Sequence, residues 1–114
     1  RLCPINDSLI PFAENVCDEI TKQNIRTDID DRTEGVGKKI RDAEMEWVPL
    51  IGVLGEKERE SGQLATRFRR EEGPSDVKNL TMKELADFVH SRTKSFPYKP
   101  LSLPRLLTKR PIFN

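Results

Sequence analysis

Residues 50–70 constrain the fold more than any other part of this 114-residue sequence, because they predict two strands joined by a charged turn. Residues 48–54 are apolar and partly β-branched and end at Gly55, as is typical of a buried strand. Residues 55–62 hold polar and charged side chains between two glycines, which favours a surface turn. Alternation along a second strand, residues 64–70, then puts Arg67 and Arg69 on one face.

The segments around this hairpin predict an alternation of strands and helices. The predicted strands cover residues 1–6, 25–30, 48–54 and 64–70, and the predicted helices run from residues 6–8 to 24, from 36 to 47, and from 81 onward. Residues 71–76 are expected to form a loop. Thr33 is expected to cap the second helix, and a capping box of Thr81 and Glu84 to begin the third. Such an order predicts an α/β fold with a mainly parallel sheet covered on both faces.

One domain is predicted at residues 1–94, followed by a tail at residues 95–114. Four prolines forbid a continuous helix in the tail, which is too apolar for a flexible linker. We therefore expect it to lie extended against a surface, either of this domain or of a missing one. Charge is also uneven, since residues 1–31 carry three basic and seven acidic residues while residues 91–114 carry six basic and no acidic ones.

Several classes of function lack support in the sequence. Cys3 and Cys17 form no CxxC pair, and with a single histidine they are too few for a structural zinc site, so we interpret them as buried cytosolic thiols. The run GVGKK at residues 35–39 lacks the spacing of a phosphate-binding P-loop. No apolar run is long enough to cross a bilayer. We expect no metal, cofactor or catalytic site in this chain and no signal peptide. Because it starts at Arg1 and not at a methionine, we expect it to be a cut piece of a larger protein or a protein whose start is missing. We expect that protein to be cytoplasmic.

One charged cluster remains as a candidate site. It consists of Glu58, Arg67, Arg69 and Arg70, backed by Arg32, Lys38 and Lys39. It could be a solvated surface held by ion pairs. It could also recognise unstacked bases, because a carboxylate accepts from N1–H and N2–H of guanine and a guanidinium donates to O6, N7 or phosphate.

Residues 25–70 resemble the C-terminal anticodon-binding domain of class II aminoacyl-tRNA synthetases, and most closely that of threonyl-tRNA synthetases. The resemblance rests on GKKIRDAE at residues 37–44, the Val-Pro pair before a strand, GEKERESG at 55–62 and RFRR at 67–70. The tail PYKPLSLPRLLTKRPIF is similar to the end of archaeal-type threonyl enzymes. The resemblance implies a mixed five-stranded sheet with three helices that reads the anticodon loop of threonine tRNA.

The resemblance also implies roles for particular residues. Glu58 and Arg67 take the places of the family residues that contact the middle guanine of the anticodon, and Thr33 stands where the family often has an asparagine that reaches the anticodon. Contacts to the loop phosphates are expected from the nearby basic residues Arg32, Lys38, Arg69 and Arg70. The catalytic motifs are not in this sequence, so ATP and zinc would bind in a catalytic domain that lies outside it. The isolated domain is expected to be a monomer whose partners are tRNA and that catalytic domain.

Two alternatives stay open at this point. The same domain type occurs in prolyl and glycyl synthetases, which share the Asp-Asp-Arg and Val-Pro features. It is also reused in non-catalytic accessory proteins, in which the hairpin would bind another protein.

Overall fold

The computed structural model describes residues 1–68, 76–93 and 103–110. Four strands are present in these ranges: β1 (Leu2–Pro4), β2 (Leu50–Leu54), β3 (Leu64–Phe68) and β4 (Asp76–Leu80). The helices are α1 (Ile10–Lys22), α2 (Val36–Met45), α3 (Glu56–Ser61) and α4 (Met82–Thr93), and short 3-10 turns lie at Asp7–Leu9 and Leu107–Lys109.

The strands form one mixed sheet in the order β1-β2-β3-β4. β1 runs parallel to β2, with Cys3 opposite Val53. β2 and β3 pair antiparallel, with Ile51 opposite Arg67, so the predicted pairing of these two strands is confirmed. β4 continues the antiparallel order beside β3. The expectation of a mainly parallel sheet is wrong, because two of the three strand pairs in the described ranges are antiparallel.

Two hydrophobic clusters hold the helices to opposite faces of the sheet. On one face, α1 contributes Ala13, Val16, Cys17 and Ile20, and α4 contributes Leu85, to a cluster that includes Leu2, Leu54 and Leu64. On the other face, Ala43 of α2 packs with Cys3 and Ile51. The larger cluster thus lies under the whole sheet, whereas the smaller one lies under β1 and β2.

The predicted strand at residues 25–30 is reduced to a single bridge, so the described sheet has four strands rather than five. Ile29 pairs in parallel with Leu2, through the bonds from Leu2 N to Asp28 O (2.8 Å) and from Asp30 N to Leu2 O (2.9 Å). The next bond of a parallel ladder would need an N–H on Pro4, and proline has none. The ladder therefore stops after one residue.

Helix α3 was predicted to be a loop, and β4 was not predicted. The charged residues of α3 are good helix formers, and the helix ends at Gly62, whose φ of 74° lies in the left-handed region. β4 has few apolar residues and is largely exposed, so only its pairing with β3 makes it a strand. The predicted capping box of α4 is confirmed, because Glu84 N donates to Thr81 Oγ1 (3.2 Å) and Thr81 N donates to Glu84 Oε1 (3.3 Å).

Helices α1 and α2 differ from their predicted bounds. α1 begins at Ile10 after the 3-10 turn, and no side-chain cap from Asn6 or Leu9 precedes it. α2 ends at Met45, because Trp47 adopts a φ of 62°. The predicted helix at residues 36–47 included Trp47, but this residue lies outside α2 and is 73 % exposed.

The described part of the tail packs on the same domain. Leu106 bridges Ile29 in parallel on the side away from β1, with Ile29 N donating to Arg105 O (2.7 Å) and Leu107 N donating to Ile29 O (3.0 Å). Ile29 is therefore paired on both sides.

Candidate nucleic-acid interface

Half of one sheet face is left open by the helices. Cross-strand partners share a face, so Arg67 and Val77 lie on the face that carries Ile51, which α2 covers. By the same register Ala65 and Asn79 lie there too. Val77 is 53 % exposed and Asn79 is also exposed, because α2 packs over β1 and β2. The face of β3 and β4 beside α2 is thus accessible, and we call these four residues the open face.

Glu58 stands at one end of the open face and is held by its own helix. Its Oε2 accepts from the backbone N–H of Gly55 (2.9 Å), which caps the first turn of α3. The half-buried side chain also lines a cavity of about 440 Å³. The cavity is lined by Lys57, Glu58, Glu60, Ser61, Gln63 and Asn79. Its volume lies in the range of sites for small molecules, so Glu58 presents a fixed carboxylate to a cavity large enough for a nucleobase.

Arg67 lies farther along the open face, against α2. Its Nε is 3.8 Å from Glu44 Oε1 and is buried without a hydrogen-bond partner in the described part of the chain. The side chain as a whole is one-third exposed. Glu44 therefore lies within ion-pair distance of the guanidinium, and the Arg67 side chain remains partly exposed.

Arg32 is engaged in an ion-pair network at the start of α2. Its Nε and one terminal nitrogen donate to the two oxygens of Asp30 (2.8 and 2.7 Å), and that terminal nitrogen also reaches Asp42 (3.0 Å). These bonds, led by that to Asp30, raise the pKa of the Arg32 guanidinium. Burial alone would raise the pKa of Asp30, but the Arg32 bonds outweigh it and lower that pKa. Arg32 thus ties the loop before α2 to the helix and is less available to RNA than predicted.

Residues 33 and 38 lie on the surface near this network. Thr33 is exposed but does not cap α2, because Gly35 is the N-cap and has no side-chain cap bond. The loop before α2 is held instead by a hydrogen bond from Arg32 N to Asp30 Oδ1 (3.2 Å). Thr33 lies in this loop, outside the helix. Lys38 is exposed, with its Nζ 3.5 Å from Asp42 Oδ2. Both side chains can therefore reach a bound ligand.

Lys39 was expected among the surface charges but is buried. It is 1 % exposed, and its Nζ donates to the carbonyl of Pro4 (3.0 Å) at the end of β1. Lys39 lies four residues before Ala43, so both residues are on the face of α2 that packs on the sheet. Arg69 and Arg70 lie outside the described residues, so their predicted roles have no structural counterpart here.

The sequence analysis did not single out Asn79, Gln63 or Glu44. Asn79 and Gln63 come to the cavity of Glu58 through the pairing of β3 with β4, and Glu44 comes to Arg67 through the packing of α2. If β4 had been predicted as the partner of β3, the pairing would have placed Asn79 opposite Ala65. That strand had no clear periodic signal of its own.

Comparison with known families decides the class of the chain. The family model described as "Anticodon binding domain" matches residues 1–92. The chain belongs to the anticodon-binding domain family. The predicted resemblance to this domain type is thereby confirmed.

Curated relatives of this anticodon-binding domain are named threonine–tRNA ligases. The chain is 44 % identical over 116 residues to that of Methanococcus aeolicus and 43 % identical over 111 residues to that of Pyrobaculum calidifontis. These alignments cover 100 % and 97 % of the chain but 18 % of each relative. The anticodon-binding domain thus spans about a fifth of the length of these relatives.

Solved structures support the fold of the anticodon-binding domain. The RNA-binding domain of threonyl-tRNA synthetase from Cryptosporidium parvum Iowa II matches with a TM-score of 0.66 at 20 % identity, covering 87 % of this chain and 23 % of that one. Prolyl-tRNA synthetase from Cryptosporidium parvum matches with a TM-score of 0.68 at 20 % identity, covering 83 % and 20 %. The mixed sheet with flanking helices is thus the fold of synthetase anticodon-binding domains.

Proposed function

We propose that this chain is the anticodon-binding domain of a threonyl-tRNA synthetase and recognises the anticodon loop of threonine tRNA. The observation that carries the proposal is the similarity to threonine–tRNA ligases over the whole chain, at 44 % identity for one of them. The prolyl synthetase matches at 20 % identity, which supports a common fold alone. A prolyl, glycyl or accessory-protein function is therefore not favoured.

The open face supplies the chemistry that this function needs. Glu58 accepts hydrogen bonds from the N1–H and N2–H groups of an unstacked guanine, the middle base of the anticodon. Arg67 supplies a cationic donor on the same face. Lys38, Thr33, Arg69 and Arg70 then contact the backbone of the loop, with a smaller contribution from the paired Arg32. Phosphate contacts position the RNA, and the base contacts provide the specificity.

The remaining parts of the proposal concern the parent protein. Residues 1–94 form the binding module and residues 95–114 its tail, and a separate catalytic domain of the parent ligates threonine to tRNA. ATP and zinc bind in that domain. No helix in the described ranges is long and apolar enough to span a membrane, and we place the parent in the cytoplasm, where translation takes place. The isolated domain is a monomer with no catalytic site of its own.

The experiment compares binding to a threonine anticodon stem-loop with binding to the same stem-loop carrying adenine at the middle position. The wild-type chain should prefer guanine by roughly 1 to 3 kcal/mol, the range for a good bidentate contact. Glu58→Gln should remove most of this preference. Glutamine retains an oxygen that can cap α3 at Gly55, so the helix should persist. Fluorescence anisotropy across a salt series measures both affinities.

Two matched variants control this experiment. Glu19→Gln changes an exposed glutamate on α1, and Arg26→Ala removes an exposed arginine outside the open face, whereas Arg67→Ala removes the arginine of the open face. The controls should leave the guanine preference unchanged, and Arg67→Ala should weaken binding of the cognate loop. Equal affinity of the wild-type chain for both loops would contradict the proposed function.

A further inference from the structure

The described part of the tail ends at the same edge of the sheet as Glu58. Leu106 pairs in parallel with Ile29, which pairs in parallel with Leu2, and β1 is parallel to β2. Because parallel strands point the same way, the residues that follow each of them emerge at one edge. The residues that follow are Thr108 and Lys109 in the tail, Arg32 and Thr33 before α2, and Glu58 in α3.

The distance along this edge matches the size of one bound RNA loop. Three strand spacings separate the tail at Leu106 from β2, which amounts to roughly 14 Å. At about 3.4 Å per stacked nucleotide, this length corresponds to about four nucleotides. An anticodon loop with the first pairs of its stem extends farther than that. RNA held at Glu58 can therefore also reach the 3-10 turn Leu107–Lys109.

Lys109 lies between two anchored residues. Thr108 donates to Asp31 twice, from its backbone N–H to Oδ1 (3.0 Å) and from Oγ1 to Oδ2 (2.6 Å). On the other side, Arg110 donates to Asp28 Oδ2 (2.9 Å). The backbone N–H of Lys109 itself closes the 3-10 turn. The main chain at Lys109 is therefore held in place, while its side chain is exposed.

The ion pairs of the tail leave the ammonium of Lys109 available to a ligand. Arg105 is paired with Asp18, and Arg110 is paired with Asp28. Lys109 has no acidic partner among the residues that the structure describes. An anion that binds Lys109 therefore displaces no existing ion pair, and the paired carboxylates of Asp18 and Asp28 repel it less than free ones would.

We infer that the turn Leu107–Lys109 is a further RNA-binding element, in which Lys109 contacts a phosphate of the anticodon stem-loop. Thr108 is a positioning residue, because it holds this turn to Asp31. The inference rests on the proposed function and extends the RNA-binding surface from α2 and α3 to the tail. Since a phosphate contact carries no base information, Lys109 raises the affinity for cognate and non-cognate loops alike.

The test measures the salt dependence of binding to two stem-loops, which carry guanine or adenine at the middle anticodon position. Fluorescence anisotropy is recorded for the wild-type chain, Lys109→Ala, Lys109→Arg and Thr108→Val. Lys22→Ala is the matched control, because Lys22 is an exposed lysine at the end of α1. Since α1 runs back along the sheet from the end of β1, Lys22 lies at the edge opposite to Glu58.

Lys109→Ala should weaken both loops alike and reduce the slope of log K against log salt by about 0.7. The affinity advantage of the wild type over this variant should accordingly fall about 2.6-fold when the salt concentration rises fourfold. Lys109→Arg keeps the charge and should keep the slope, as should Lys22→Ala. The thermal unfolding midpoint of Lys109→Ala should equal that of the wild type, because the side chain is exposed.

Thr108→Val removes one of the two bonds to Asp31 without changing the charge. Addition of Lys109→Ala to this variant should therefore change the salt slope by less than it does in the wild type. A full effect of Lys109→Ala in the Thr108→Val background would contradict the positioning role of Thr108.

An unchanged slope in Lys109→Ala would overturn the inference, and so would an equal decrease in Lys22→Ala. Either result leaves the preference for guanine, and with it the proposed function, intact. A wild-type chain that binds the guanine and adenine loops with equal affinity contradicts the function itself.

Discussion

Lys38 and Lys39 are adjacent residues with opposite environments. Lys38 extends into solvent beside Asp42, whereas Lys39 lies on the buried face of α2 and donates to the carbonyl of Pro4. The buried ammonium lies near Asp30, a buried carboxylate whose pKa burial would raise but the Arg32 bonds and, to a smaller extent, the Lys39 charge lower. Lys39 is thus part of the structural core of the α2 face, and of the two lysines only Lys38 is accessible to a ligand.

Substituting each lysine by alanine should separate these roles. Lys39→Ala should lower the free energy of unfolding by about 2 kcal/mol or more, because it leaves the Pro4 carbonyl without its donor and opens a cavity. Lys38→Ala should change stability by no more than about 0.5 kcal/mol. Urea denaturation measures both, and equal stabilities of the two variants would contradict the buried position of Lys39.

The two lysine variants should also differ in their RNA binding. If Lys38 contacts a phosphate, Lys38→Ala should weaken cognate and non-cognate stem-loops alike and reduce the salt slope of log K by about 0.7. Lys39→Ala should leave the slope unchanged at temperatures at which the variant is folded. An unchanged slope in Lys38→Ala would exclude it from the phosphate contacts.

At the scale of elements, helix α3 replaces the turn that the two glycines predicted. Gly55 remains extended as the N-cap, and Gly62 ends the helix in the left-handed region, donating to Glu58 O (2.9 Å). Both glycines therefore keep the role of boundary residues, but the charged residues between them wind into a helix. The consequence for function is that Glu58 occupies a fixed position in the first turn.

Glycine-to-alanine substitutions at the end of α3 and inside α2 should have opposite effects on stability. Gly62→Ala should destabilise the chain by about 1 kcal/mol, because a Cβ disfavours a φ of 74°. Gly37→Ala, in exposed α2, has no heavy atom within 4 Å of the added Cβ and should stabilise by about 0.5 to 1 kcal/mol. Thermal unfolding measures both changes. A stabilising Gly62→Ala would contradict the left-handed end of α3.

At the scale of the whole molecule, the uneven charges of the sequence meet in space. Arg105 donates to Asp18 (2.5 Å), Thr108 bonds both oxygens of Asp31, and Arg110 donates to Asp28 (2.9 Å). Basic residues of the tail thus neutralise acidic residues of the first 31. Asp28 is also paired with Arg1. Burial alone would raise the pKa of Asp28, but its two arginine partners lower that pKa below the usual range.

Acid should weaken this long-range connection. Because the pKa of Asp28 is lower in the folded chain than the usual value of about 3.9, its stabilisation is complete above that pH and is lost as pH falls through the folded pKa. Asp28→Asn should lower the free energy of unfolding by about 1 to 2 kcal/mol at pH 7 and by less at acidic pH. Urea denaturation from pH 7 to 2 tests this.

Asp7→Asn, a change at an exposed carboxylate, is the control for the acid experiment. It should follow the stability of the wild type at every pH. If Asp28→Asn lowers the free energy of unfolding by the same amount at every pH down to 2, the ion pairs with Arg1 and Arg110 do not contribute to stability through charge.

The sequence by itself determined the features that depend on neighbouring residues. Periodicity located α1, α2 and α4, the run at residues 48–54 located β2, and the family motifs identified the domain type and proposed Glu58 as a site residue. Each of these signals lies within a short stretch of chain, where side-chain spacing and capping decide the local conformation.

The tertiary structure decided which residues are exposed and which are brought together. It buried Lys39, exposed Trp47, reduced residues 25–30 to one bridge at Ile29, and placed Asn79 rather than Arg67 in the cavity of Glu58. These outcomes depend on strand pairing and helix packing between residues distant in sequence. Periodicity specifies the faces of a strand or helix, but the partners of each face are selected only when the sheet is assembled.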